Sequence, residues 1–181
     1  MPKSMAEDSR LYGVELDSIT GRMAKLIYPE AHIEVRGYEN TDFQNDFFDV
    51  AIGNVPFGQY KVLDKEYDSN NFLIHDYFFA KTIDKVRPGG IIAFITSKGT
   101  MDKQNSSVRR YISKRAELVG AVRLPNTAFK NAGTSVTSDI IFLKKRNALT
   151  DVTDPWVELA VDDNGIEYNS YFVDHPEMVL G

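Results

Sequence analysis

The sequence predicts a three-layer α/β fold, in which helices cover both faces of a mostly parallel sheet. Short apolar runs, typical of buried strands, alternate along the chain with segments whose apolar residues recur at helical spacing. The two clearest strands, residues 48–52 and 91–96, enclose the clearest helix, residues 72–86. Parallel strands need long crossover connections, so this alternation indicates a parallel sheet. The 181 residues suffice for one domain with its own core.

The first elements are predicted from an acidic strand end and a helix cap. Residues 11–17 form a short apolar strand that ends in acidic residues. Ser18 can cap the helix that follows, and Pro29 ends this helix because proline cannot continue the backbone hydrogen bonding. Residues 33–36 alternate between apolar and charged side chains, which indicates a brief strand.

The next strand carries the most informative stretch of the chain. The apolar run 48–52 stops at Gly53 and Asn54, and Pro56 then restricts the backbone. Asn54 is therefore expected at the carboxyl end of a parallel strand. In open α/β sheets, ligands bind at this edge.

The second half of the chain continues the alternation. The polar stretch 59–71 is long for a link between a strand and a helix, and long loops at strand ends are often functional. A surface loop without a functional role remains an equal alternative. The other predicted elements are a helix at 72–86, a turn at 87–90, a strand at 91–96, a basic helix at 106–115, and strands at 118–124 and 136–144.

Composition limits the class of protein. The chain has no cysteine, which excludes disulfides and thiolate metal sites and agrees with a reducing compartment. The three histidines, His32, His75 and His175, are scattered, which favours surface or capping roles over a metal site. No apolar run approaches the ~20 residues of a membrane span, and the first ten residues lack the apolar core of a signal peptide. We expect a cytoplasmic protein that binds neither metal nor membrane.

Charge is unevenly distributed along the chain, whose net charge is −5. Residues 97–146 contain eleven Lys or Arg against three acidic residues, whereas residues 147–181 contain eight acidic residues and no Lys or Arg. The middle segment could present a basic face to phosphates. A solvated helix face followed by an acidic tail explains the same counts, so charge alone leaves both alternatives open.

The residues after the strand at 48–52 suit the binding of a planar amino group. The side-chain oxygen of Asn54 and the backbone carbonyl of Val55 can both accept hydrogen bonds from an NH2 group. The ring of Phe57 can stack on a flat group behind it. An ordinary Asn-x-Pro turn is the alternative for so short a pattern.

Asn54-Val55-Pro56-Phe57 resembles the Asn-Pro-Pro-Tyr/Phe motif of the DNA adenine-N6 methyltransferases, which use S-adenosylmethionine. The resemblance implies that Asn54 and the Val55 carbonyl hold the target amino group, and that Phe57 stacks on a flipped adenine. Val55 departs from the family pattern, which usually has Pro at this position. The carbonyl survives that change, whereas some backbone rigidity is lost.

The same resemblance extends to residues that would hold the cofactor. The sequence Gly-Val-Glu-Leu-Asp at 13–17 is similar to the family's acidic motif, which implies that Glu15 binds the ribose hydroxyls. Asp17 is then expected at the helix N-terminus. Asp42 and Phe43 match two further family residues in order and spacing. The match implies that Asp42 accepts a hydrogen bond from the amino group of the cofactor adenine and that Phe43 packs on the adenine ring.

The later part of the chain resembles a narrower group. Arg-Leu-Pro at 123–125, followed by a Phe, a Gly-Thr and an apolar strand, is similar to the closing hairpin of type I modification subunits and of methylase-helicase fusions of mobile elements. This second match favours DNA as the substrate. The candidate DNA-binding residues are Lys98, Lys103, Arg109 and Arg110.

The resemblance covers residues 11–146, and one part of the family pattern is missing. Such enzymes begin with a strand and a glycine-rich turn that approaches the methionine end of the cofactor, and neither is found before Leu11. We therefore expect residues 1–146 to be a partial methyltransferase-like domain, N-terminally truncated, that does not bind S-adenosylmethionine tightly alone. Residues 147–181 are expected to be an acidic extension or the start of a further domain.

Three functions agree with these observations. The first is a DNA adenine-N6 methyltransferase, inactive or active as this segment, whose partners are DNA and the rest of a longer methylase polypeptide or a specificity subunit. The second is a related methyltransferase that acts on a glutamine amide or an RNA base. The third is a non-catalytic DNA-binding or assembly module.

Overall fold

The computed structural model describes residues 7–56, 58–133 and 135–181, which form two compact units. The first unit contains the described residues up to Phe43 together with Leu63–Lys65. The second contains the described residues of Gln44–Val62 and Glu66–Gly181. The division therefore falls after Phe43, whereas the sequence analysis placed it after residue 146.

The first unit is built on two parallel strands and one helix. Strand β1 (Tyr12–Glu15) pairs with β2 (His32–Val35), so that Glu15 lies opposite Val35. Helix α1 (Ser18–Ile27) connects the two strands. Gly21 lets α1 approach β2, because a Cβ atom at this position would lie only 2.7 Å from a methyl group of Val35.

The second unit contains a four-stranded sheet with the order β3-β4-β6-β5. Its strands are β3 (Phe48–Asn54), β4 (Val86–Ser97), β5 (Ala116–Arg123) and β6 (Ser138–Lys145). Strand β3 is parallel to β4, and β6 is antiparallel to both β4 and β5. The ends of β3, β4 and β5 therefore lie at the same edge of the sheet as the start of β6. We call this the C-terminal edge; it is marked by Asn54, Ser97, Arg123 and Ser138.

The core of the second unit lies on one face of this sheet. Helix α2 (Ile74–Lys85) packs on β4, α3 (Gly99–Asp102) follows β4, and α4 (Ser107–Ser113) packs on β5 and α2. The buried apolar side chains of this core include Phe79, Ile83, Ile92, Met101, Ile112, Ile141 and Leu143. Residues 87–90 bulge out of β4, because the pairing with β3 jumps from Val86 to Ile91.

The acidic segment 147–181 is part of the second unit and not a separate domain. It forms the hairpin of β7 (Leu159–Val161) and β8 (Glu167–Asn169), followed by α5 (Ser170–Asp174). Trp156, Val157 and Phe172 are buried in the same apolar cluster as Phe79 and Ile92. These apolar side chains supply part of the core of the second unit, which a sequence boundary based on charge could not reveal.

The predicted α/β class is confirmed, and each predicted strand and helix has a counterpart within a few residues. The described strands form a two-stranded parallel sheet, a four-stranded sheet and the β7–β8 hairpin, not one continuous sheet. None of the helices that the structure describes is long and apolar enough to cross a bilayer.

Candidate functional site

Asn54 lies where the sequence predicted it, as the last residue of a parallel strand at the C-terminal edge. It is exposed and lies opposite Ile95 of β4. The next residue, Val55, continues the pairing, because its N–H donates to the carbonyl of Ile95 at 3.0 Å. The Val55 side chain is only 3% exposed and belongs to the core. The backbone around Asn54 is therefore held by the sheet and by side-chain packing.

The Asn54 carboxamide is free to bind a ligand. Within the described part of the chain it makes no hydrogen bond, although it stands beside a well-paired strand. Pro56 follows at partial exposure, and Phe57 lies outside the described residues, so its expected stacking role stays a prediction. An exposed amide oxygen next to an anchored backbone can accept a hydrogen bond from an amino group in a fixed direction.

Val55 supplies a backbone donor that the family's usual proline lacks. We expect Val55→Pro to lower the free energy of unfolding by about 1–3 kcal/mol more than Val55→Ala, because proline leaves the Ile95 carbonyl without its donor. Val55→Ala keeps the N–H and removes two buried methyl groups, whereas Val55→Pro keeps three side-chain carbons and loses the N–H. Urea unfolding of the two variants measures the difference. Equal stabilities would show that the bond to Ile95 does not stabilise this turn.

Glu15 and Asp17 take different positions after β1. The Glu15 carboxylate accepts the backbone N–H of Asp17 at 2.8 Å, which orients it at the end of the strand. Asp17 caps helix α1 by accepting the N–H of Thr20 at 2.7 Å, and this backbone hydrogen bond lowers the pKa of Asp17. The expected role of Asp17 at the helix N-terminus is confirmed, whereas Ser18, the other expected cap, is the first residue of the helix.

Asp42 and Phe43 follow a short helical turn, Tyr38–Asn40, in the first unit. Asp42 is exposed, and Phe43 is half-buried. The ring of Phe43 meets the ring of Tyr12 edge-on, with 6.1 Å between centroids. Tyr12 begins the strand that Glu15 ends, so all three expected cofactor residues belong to the first unit, whereas Asn54 belongs to the second.

Arg109 cannot serve as a surface contact for DNA. Only 1% of it is exposed, and its guanidinium donates to the carbonyls of Val157 and Lys103, each at 2.6 Å. The sequence analysis placed this residue on a basic surface because the helix is rich in Lys and Arg. The structure corrects that expectation. The Arg109 guanidinium is buried and is held by one carbonyl from a residue before it in the sequence, Lys103, and one from a residue after it, Val157.

The other three candidate DNA-binding residues differ in whether their charge is already paired with an acid. Arg110 forms an ion pair with Glu158 on the surface. The Lys103 ammonium lies 4.0 Å from the buried carboxylate of Asp76. Lys98 is exposed directly after β4 and has no ion pair or hydrogen bond within the residues that the structure describes.

A buried charged network at the C-terminal edge was missed by the sequence analysis. Arg123 binds Asp139 through two hydrogen bonds of 2.8 and 2.9 Å, and Asp102 through contacts of 2.9 and 3.0 Å. Its guanidinium also lies 4.3 Å from the centre of the Phe172 ring. Burial raises the pKa of Asp139, against the opposing effect of Arg123. The signal was available, since an acid inside an apolar strand needs a buried partner.

His75 is buried, which corrects the expectation of a surface or capping role. It lies in the first turn of α2, and its Nε2 atom is 3.3 Å from the carboxylate of Asp76. Burial lowers the pKa of His75 and raises that of Asp76. Among the described residues, no group of three or more His, Cys, Asp or Glu side chains could hold a metal ion.

Comparison with solved structures defines the class of fold. The chain is similar to a candidate class I S-adenosylmethionine-dependent methyltransferase of Listeria monocytogenes, with a TM-score of 0.63 and 21% identity over 81% of this chain and 47% of that one. It is also similar to the M protein of the type I restriction enzyme EcoKI, with a TM-score of 0.62 and 18% identity over 75% of this chain and 31% of that one. The fold is that of the Rossmann-like methyltransferases.

Sequence comparison then defines the family. Residues 2–158 match the N-6 DNA methylase family, and the chain belongs to it. Over 140 residues the chain is 33% identical to the "Defense against restriction protein B" of Escherichia phage P1. That match covers 74% of this chain and 6% of the phage protein, so the chain corresponds to a small part of this relative.

Proposed function

We propose that this chain provides the target-binding part of an S-adenosylmethionine-dependent methyltransferase that methylates the N6 amino group of adenine in DNA. One observation carries the proposal: the carboxamide of Asn54, which has no hydrogen bond to any residue that the structure describes, stands at the end of a parallel strand, beside a backbone anchored through Val55. Membership in the N-6 DNA methylase family supports adenine over a glutamine amide or an RNA base.

The residues at the C-terminal edge would act by orienting the target nitrogen. The Asn54 oxygen and the Val55 carbonyl accept the two amino hydrogens, which turns the nitrogen lone pair away from the strand end. Phe57 would stack on the extruded adenine, as any aromatic face can. Holding the nitrogen in one orientation lowers the entropic cost of the chemical step, because binding has already fixed the position of the nitrogen relative to the methyl group.

The first unit has the chemistry expected of a cofactor site. Glu15 offers an oriented carboxylate at a strand end, which fits the hydroxyls of a ribose. Asp42 offers an exposed carboxylate that fits the amino group of the cofactor adenine. S-adenosylmethionine, when bound, supplies the methyl group. Glu15 and Asp42 would fix its nucleoside end.

The partners follow from the same proposal. DNA is the substrate, and the similarity to a type I M protein supports assembly with a specificity subunit or with the rest of a longer methylase polypeptide. A non-catalytic module is the second candidate, and it is favoured because the described strands of the first unit and those of the second belong to different sheets.

A labelling experiment tests these alternatives. The polypeptide that carries this segment is incubated with S-adenosylmethionine labelled in its methyl group and with unmethylated duplex DNA, and the DNA is then digested to nucleosides. We expect the label in N6-methyladenine, and its loss in Asn54→Ala. Label in another base, in RNA or in protein would contradict the adenine assignment, and DNA binding without label would favour the non-catalytic module.

A further inference from the structure

Most of the Lys and Arg side chains between residues 97 and 146 already interact with other groups of the protein. Of the eleven Lys and Arg side chains in this segment, eight have a partner: Lys103, Arg109, Arg110, Lys114, Arg115, Arg123, Lys145 and Arg146. In the described part of the chain, the remaining three, Lys98, Lys130 and Lys144, have no ion pair or hydrogen bond from the side chain. All three are exposed.

The acidic segment neutralises the basic face of α4. Glu158 pairs with Arg110, and Asp151 lies 3.5 Å from Lys114. Asp154 binds Arg146 through both carboxylate oxygens, at 2.8 and 3.0 Å. Trp156 and Val157 are buried in the core and hold the neighbouring Asp154 and Glu158 close to their partners. A phosphate approaching α4 would therefore meet a face of nearly balanced charge.

Two of these three lysines, Lys98 and Lys130, belong to segments that leave or enter the sheet at the edge that carries Asn54. Lys98 directly follows β4, and Lys130 lies in the segment that leaves the end of β5 and enters the start of β6. Lys144 lies near the opposite end of β6, six residues from Ser138, and thus about 20 Å away along the strand. Arg123 binds both Asp102 and Asp139, and the charge of Lys98 acts on Asp139 from beyond ion-pair distance, so the acids of this edge offset only part of the Lys98 charge.

We propose that the phosphate backbone of double-helical DNA contacts the second unit at the C-terminal edge, through Lys98 and Lys130, and not through the basic helix α4. This inference rests on the proposed function and identifies the surface that presents the DNA to Asn54. A strand held along this edge runs past the exposed carboxamide, so an adenine turned out of the duplex can reach it. The proposal replaces Arg109 and Arg110 by Lys130 as phosphate contacts.

Salt dependence of DNA binding tests the assignment. The probe is a fluorescent 30-base-pair duplex, and its anisotropy is measured with the polypeptide at several salt concentrations. Each of Lys98→Ala and Lys130→Ala should weaken binding several-fold and reduce the slope of log affinity against log salt by about one, the effect of losing one phosphate contact. Lys144→Ala is the matched control, since it removes the same charge at the opposite end of the sheet and should leave the slope unchanged.

Variants of α4 complete the test. Arg110→Gln and Lys114→Gln should change the slope by much less than Lys98→Ala, because their charges are paired with Glu158 and Asp151. The proposal would be overturned if Lys144→Ala, or the α4 variants, changed the slope as much as Lys98→Ala does. It would also be overturned if DNA binding did not depend on salt, or if an RNA duplex of the same length bound more tightly. Four of the five residues are exposed and Lys114 is partly exposed, so we expect nearly unchanged unfolding midpoints, which checks that the variants are folded.

The two proposals fail in different ways. If the edge lysines have no effect while Asn54→Ala removes the label from N6-methyladenine, DNA binds elsewhere and the proposed function stands. If the lysines govern DNA binding while no methylated base forms with the unaltered sequence, the surface is assigned correctly and the proposed reaction is wrong.

Discussion

Replacing Asn54 by Ala in the intact methylase polypeptide that carries this segment is expected to reduce methyl transfer to DNA by ~10²-fold or more, while the affinity for S-adenosylmethionine stays largely the same. The side-chain oxygen is exposed at the C-terminal edge and has no partner in the described part of the chain, so its removal should not disturb the fold. It would accept a hydrogen bond from the target amino group and not from the cofactor. The loss should therefore appear in the chemical step, measured as the single-turnover rate with saturating DNA and cofactor.

A second asparagine at the same edge provides the control. Asn126 is exposed in the segment between β5 and β6, and Asn126→Ala should leave the single-turnover rate within about twofold of the unaltered rate, because its amide lies outside the motif that would hold the target amino group. Phe57→Ala should instead weaken capture of the flipped base by about 1–3 kcal/mol, and Phe57→Tyr should retain most activity. A normal rate for Asn54→Ala would leave Asn54-Val55-Pro56-Phe57 as an ordinary strand end and turn.

Replacing Arg123 by Ala is expected to lower the free energy of unfolding by about 3–5 kcal/mol, the typical cost of leaving a buried charge without its partner. Asp139 is fully buried and would lose both of its hydrogen bonds to the guanidinium. Asp102 would lose its partner as well, and Phe172 the cation above its ring. Urea unfolding at neutral pH measures the change.

Arg110→Ala is the matched control for this prediction. Its ion pair with Glu158 lies on the surface, where such a pair contributes only about 0–1 kcal/mol. Equal losses for the two variants would contradict the view that burial makes the Arg123 network important.

The loss of stability in Arg123→Ala should also depend on pH. Without its cation, the buried Asp139 carboxyl has a pKa above the value in the unfolded chain, so the folded state binds a proton more tightly than the unfolded state does. Stability of the variant then rises as pH falls from that raised pKa towards the ordinary value of about 3.9. The difference from the unaltered protein should be smaller at pH 5 than at pH 7, and a constant difference would show that Asp139 does not titrate there.

The sequence by itself determined the elements and the candidate motif. Sequence patterns a few residues long predict three features: the apolar run that ends at Asn54, the helix that ends before Pro29 and the capping acid Asp17. Such patterns involve residues that are close together in the chain, so a short window of sequence is enough to predict each element. The assignment of Asn54 to a strand end needed no knowledge of other parts of the chain.

Only the tertiary structure decided which charges are free. The basic face expected from residues 97–146 is largely neutralised by residues 151–158, and the partners Arg110 and Glu158 are 48 positions apart in the sequence. Burial of His75 and Arg109, and the joining of Arg123 to Asp102 and Asp139, likewise depend on segments brought together by the core. A charge count along the chain cannot give the distances between such groups. Electrostatic interactions depend on those distances and on burial, which the chain acquires only when it folds.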